Sequence, residues 1–143
     1  MAAAINPLLI IGAVLSAIAA LLHVGCIVFG ASWYRFFGAG ERMARLAEAG
    51  DWRAAAITSV IVAVLSVWAL YALSGAGAIA KLPLLRIGLC AIAAVYSLRG
   101  LAGLLYAAFG ARVDATFWWW SSAICLVFGI VHVAGLMQVW PRL

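Results

Sequence analysis

Acidic side chains are almost missing from this sequence. Four Asp and Glu occur among 143 residues, against nine Lys and Arg, and charged residues make up 9% of the chain. A soluble domain carries about 25% charged and about 45–50% apolar residues, whereas this chain is 69% hydrophobic. So short a chain cannot bury that much apolar surface in a core of its own. The same shortage of polar residues excludes intrinsic disorder. Three scattered cysteines without a Cys-x-x-Cys exclude a disulfide scaffold and a thiol–disulfide exchange enzyme. Nucleophile elbows and glycine-rich phosphate loops are absent as well. No metal or other cofactor is expected, since several Cys, His and carboxylate ligands would have to converge.

What is present is long apolar runs. A helix needs about 20 mostly apolar residues to cross a bilayer. No charge precedes Arg35, and further uncharged stretches lie between Arg53 and Lys81 and between Asp114 and Arg142. A third run, from about Leu84 to Tyr106, contains Arg86 and Arg99. The runs are apolar all round rather than alternating, which favours helices over barrel strands. Short connections make sequence neighbours antiparallel neighbours. The expectation is an all-α integral membrane protein, a four-helix transmembrane bundle of up-down topology. Residues 1–143 form one transmembrane domain, with helices near 8–30, 54–74, 84–107 and 117–140. The first run is read as a retained span, because it lacks a basic leader and exceeds a signal peptide's apolar core of about 7–15 residues.

The third helix must carry a guanidinium at depth. Arg at a helix centre costs roughly 2.5–3.5 kcal/mol, and each Leu, Ile or Val returns about 0.3–0.6. Its leucines, isoleucines and valine bring insertion close to balance, with help from neighbouring helices.

Basic residues in the loops set orientation. Arg35, Arg42, Arg45, Arg53 and Arg112 fall on one side; Lys81, Arg86 and Arg142 fall on the other. This places both termini outside the cytoplasm, in a bacterial-type inner membrane. Trp33, Tyr34, Phe36, Phe37, Trp52, Tyr106, Phe109 and Phe117 to Trp120 are expected as an inner aromatic belt, with Trp68, Tyr71 and Trp140 as an outer one. Within the amphipathic loop 33–53, the stretch from Gly40 to Gly50 has good helix formers bounded by glycines, with Met43, Leu46 and Ala47 on one face. Glu41 and Arg45 stand in the favourable acid-then-base order. Gly12, Ser16, Ala20, Ala93, Ser97, Gly100 and Gly103 are candidates for close helix contact.

Ionisable groups inside spans are costly and mark functional candidates. These are Arg99, His23 and His132, with Tyr96 one turn before Arg99; the four are the expected ligand-binding residues. No catalytic residue is assigned. The favoured function is binding or transport of a small molecule, lipid or ion through a polar intramembrane pocket around Arg99. The alternatives are a non-catalytic accessory or assembly subunit of a larger membrane complex, and a membrane enzyme acting on a lipophilic substrate. Expected partners are membrane lipids and further copies of the chain or a larger membrane complex. The net charge of +5 does not indicate nucleic acid, because the arginines flank a membrane, where anionic lipid accounts for them.

Overall fold

The computed structural model describes residues 5–110 and 115–143. Arg112, counted above in the third connection, lies outside the described residues. The described helices are α1 Pro7–Phe29, α2 Ala31–Phe36, α3 Glu41–Glu48, α4 Trp52–Ala76, α5 Leu85–Phe109 and α6 Ala115–Val139, followed by a 3-10 turn, Trp140–Arg142. No strand occurs among the described residues. Four of these helices are long and apolar enough to cross a membrane, and their ends fall within two residues of the expected ones. Inside the 33–53 loop the structure adds α3, as expected, and the short α2, which the sequence did not announce.

The chain divides into two compact units, Ser16–Val67 and a larger one joining Met1–Leu15 to Trp68–Leu143. In the larger unit, α5 and α6 meet through residues lacking side-chain bulk. A Cβ on Gly100 would sit 2.8 Å from the Leu126 backbone nitrogen, and one on Gly129 would sit 3.0 Å from that of Ser97. Gly103 lies so close to Ser122 that no Cβ fits between them. As contacts advance from Ser97 to Gly103 on α5 they retreat from Gly129 to Ser122 on α6, so the two helices run in opposite directions. Apolar helices in hydrocarbon gain little from hydrophobic burial, and close van der Waals packing of small residues takes its place.

The start of α1 packs on α6 in the same manner. Gly12 faces the His132 ring and Gly135 faces Leu9. The end of α4 meets α5 with Tyr71 over Gly88 and Leu89 over Gly75. Leu9, Ala76, Leu85, Leu89, Leu136 and Val139 form the buried cluster at this end. Trp68, assigned above to an outer belt, instead packs its ring edge-on against Tyr96 at 5.0 Å.

Asn6 ties this end together. Its Oδ1 accepts the Leu9 backbone N–H at 2.9 Å, which caps α1, and Pro7 follows at the first helical position, where a missing N–H costs nothing. Its own N–H donates to the Ala76 carbonyl at 2.9 Å, closing the end of α4. Its Nδ2 donates to Gln138 Oε1 at 2.7 Å. The following connection is held by Ser74, whose hydroxyl donates to the Ala80 carbonyl at 2.9 Å and accepts the Leu82 N–H at 3.0 Å.

In the smaller unit, Cys26, Tyr34, Ala44 and Ala54 form the core, with Trp33, Met43, Leu46 and Ala47 against it. Trp33 occupies the notch left by Gly25 and stacks on Phe29 at 4.5 Å. Tyr34 leaves the expected belt: it is 2% exposed, and its hydroxyl lies 2.9 Å from Thr58 Oγ1. Phe36 and Trp52 are 81% and 74% exposed.

Two substitutions test this architecture. Asn6→Ala removes a helix cap and strands the Gln138 amide, and should lower stability in detergent by about 1–2 kcal/mol. Gly129→Val should force α6 from α5 and cost about 1–3 kcal/mol. Thermal unfolding followed by circular dichroism checks both; an unchanged midpoint in either contradicts the packing described.

Candidate functional site

Arg99 sits on α5 with no Cβ one turn ahead of it at Gly103. A Cβ there would lie 2.5 Å from Arg99 Nη1, so the guanidinium extends along the helix to the level of Gly103. That is about 6 Å toward the Phe109 end. The long side chain therefore reaches toward that end and docks on α6. Its Nη1 donates to Ser122 Oγ and its Nη2 to Ser121 Oγ, each at 3.4 Å. Its plane lies over the Trp118 ring, 4.9 Å from the centroid. Trp118 is held edge-on by Tyr106 at 4.8 Å.

Beside the guanidinium is an open groove of about 500 Å³, lined by Arg99, Ala102, Gly103, Tyr106 and Trp118. Among the described residues no carboxylate pairs with Arg99. A guanidinium carries five N–H donors, and two long bonds to neutral hydroxyls leave donors and the whole charge available on the groove side. The lining is one cation, two rings and small apolar residues. Such a site can hold an anionic group against its cation and carbon against its rings.

Tyr96 and His132 form a different cluster in the same unit. The Tyr96 ring packs at 5.0 Å on Trp68, 5.3 Å on Phe128 and 5.2 Å on His132. His132 is fully buried. Its Nδ1 lies 2.8 Å from the Phe128 carbonyl one turn back, and its Nε2 has no hydrogen-bond partner among the described residues. Gly12 closes over that ring, with a Cβ position 3.0 Å from Nε2. The space around this nitrogen is filled by backbone rather than open to a ligand. His23 belongs to the smaller unit, where its Nδ1 lies 2.7 Å from the Ala19 carbonyl. Each histidine thus places its Nδ1 against a carbonyl one turn back on its own helix. Of the four expected ligand-binding residues, Arg99 lines the groove and Tyr96 and His132 pack together apart from it.

Reading the sequence missed Ser121, Ser122 and Trp118. The available signal was their spacing, three and four apart on one face of α6, with two adjacent hydroxyls in an apolar run. Cys125, three and four residues further on, extends that face. Among the described residues no three His, Cys, Asp or Glu side chains converge.

The α2–α3 segment carries three ion pairs. Arg35 donates from Nε and Nη2 to Glu41 at 3.0 and 2.8 Å and from Nη1 to Glu48 at 2.6 Å. The expected Glu41–Arg45 pair is present but longer, at 3.5 Å. Arg35 fastens both ends of α3 because Glu41 and Glu48, seven residues apart, lie on one helix face. Its guanidinium holds both carboxyls below the usual carboxylate range, mainly through these hydrogen bonds.

Comparison with family models, with characterised proteins and with solved structures finds no match to this chain.

The clasp predicts a pH response. A carboxyl whose folded pKa lies below its unfolded value favours the folded form at neutral pH. It surrenders that contribution as pH falls through the folded value, below about 4.3 for Glu. Amide resonances of Glu41–Glu48 should therefore stay unchanged from pH 7 to 5 and broaden below about pH 4. Arg35→Gln should show the broadened pattern already at neutral pH; identical spectra in the two proteins at pH 7 contradict the clasp.

Proposed function

We propose that the chain is an integral membrane protein whose four long helices cross the bilayer in up-down topology, both termini on the outer side. The opposed directions of α5 and α6 and the short connections support that topology, and the loop arginines support the orientation. We further propose that the protein binds a small organic anion or anionic amphiphile in the groove beside Arg99. The observation that carries this reading is the guanidinium lying on Trp118 and two serine hydroxyls, without a carboxylate among the described residues, at the wall of an open groove.

The chemistry follows from the electrostatics of a low-dielectric site. Among the described residues the guanidinium meets only neutral hydroxyls and a ring, which do not cancel its charge, and an arriving anion recovers part of the desolvation cost of both. Arginine suits the task because its fork matches carboxylate and phosphate geometry. Ser121 and Ser122 hold the guanidinium in plane, Trp118 backs it, and Tyr106 offers a hydroxyl and a ring at the mouth.

The test uses decanoate and dodecyl phosphate as probes, with bound ligand counted by native mass spectrometry of the purified protein. Wild type should bind saturably. Arg99→Gln should lose at least tenfold in affinity, in keeping with the removal of one charge-assisted contact, while its unfolding midpoint stays within a few degrees. Equal binding by the two proteins ends the proposal. Flux of the same probes in proteoliposomes separates transport from binding.

A further inference from the structure

Helix α3 presents three distinct faces. Ala44 is fully buried in the core of the smaller unit, with Met43 and Ala47 beside it. Glu41 and Glu48 turn to Arg35 and accept from all three of its guanidinium nitrogens. The remaining face carries Arg42 and Arg45, one turn apart. Arg42 has no ion-pair partner among the described residues, and the Arg45 side chain is 76% exposed beyond its long contact with Glu41. An open cavity of about 410 Å³ lies against this face, lined by Arg42, Arg45 and Leu46.

The segment's net charge is small, four arginines against three acids from Arg35 to Arg53. Their separation matters more than the sum. The glutamates are drawn to Arg35, and Asp51 accepts the Arg53 N–H at 2.9 Å to cap α4 and sits 4.0 Å from the Arg53 guanidinium. Arg42 and Arg45 are left lining one cavity with Leu46, Arg45 keeping a single long contact with Glu41, in a unit whose Phe36 and Trp52 are strongly exposed. A singly charged phosphate diester can accept from both forks at once, and its glyceryl and acyl carbons can lie on Leu46. Exposed rings at the membrane edge place this face at headgroup depth.

We propose that Arg42 and Arg45 form a binding site for the phosphate of an anionic phospholipid. The site rests on the reading of the chain as a membrane protein but is independent of the Arg99 groove. The clasp at Arg35 is the device that makes it: by engaging both glutamates it leaves Glu41 one longer contact, at 3.5 Å, with Arg45, and among the described residues no carboxylate reaches Arg42.

Purified protein titrated with phosphatidylglycerol and phosphatidylcholine of matched chains, with bound lipid counted by native mass spectrometry, tests the proposal. Wild type should prefer phosphatidylglycerol. Arg42→Gln with Arg45→Gln should lose that preference by about fivefold per arginine, the worth of one surface cation near anionic lipid, with unchanged circular dichroism. Arg53→Gln and Arg99→Gln should keep it. Equal loss in Arg53→Gln would mean diffuse charge rather than a site, and an unchanged double variant would likewise overturn the assignment. Displacement of the lipid by soluble poly-glutamate at equal concentration would overturn it in favour of an acidic protein partner. Release of the chain from membranes by alkaline carbonate would remove the membrane reading itself, an outcome separate from failure at Arg99.

Discussion

The approach of α5 and α6 to backbone contact is the constraint on which the larger unit depends. Small residues at this seam let the backbones approach, so that dispersion at short range and hydrogen bonds hold the pair. Gly100, Gly103 and Gly129 supply that range by omitting the Cβ that would otherwise meet Leu126, Ser122 and Ser97. The omission at Gly103 also opens the channel along which the Arg99 side chain runs. Packing and candidate site therefore share one cause, and a single methyl group at residue 103 would disturb both.

The second constraint is the shortage of carboxylates. In the larger unit three cations have neutral partners. Arg99 lies on Trp118 and two serines, Arg86 stands 4.7 Å over Trp140, and Lys81 donates to the Arg142 carbonyl at 3.1 Å. Rings and carbonyls hold a guanidinium or ammonium without cancelling its charge. Where glutamates do occur, Arg35 engages both and turns a polar connection into an ordered helix with one basic face.

Much of this was legible in advance. Uncharged length located four long helices to within two residues, since the hydrophobic signal of such helices is uniform around their circumference and insensitive to packing detail. Gly100 and Gly103 stood out because small residues beside an intramembrane arginine leave room that something must fill. Tyr96 is the instructive failure. One turn from Arg99, it shares that residue's helix face by periodicity, yet its ring goes into the Trp68, Phe128 and His132 cluster while the guanidinium turns the other way. The sequence carries no term for the direction in which a long flexible side chain bends. Asn6 was not singled out in the sequence, and its link to Gln138 spans nearly the whole chain and belongs to no local pattern.

Composition alone determined that this chain must hide apolar surface in something other than its own core, and charge spacing alone determined how many long helices do so. Both follow from local solvation, which each residue carries with it. Tertiary structure decided which polar atoms meet. It put Ser121, Ser122 and Trp118 under Arg99, left Nε2 of His132 against Gly12, and sent Arg35 to Glu41 and Glu48 ahead of the nearer-spaced Arg45. Those choices depend on helix register and on the reach of individual side chains. Neither exists until the helices have packed.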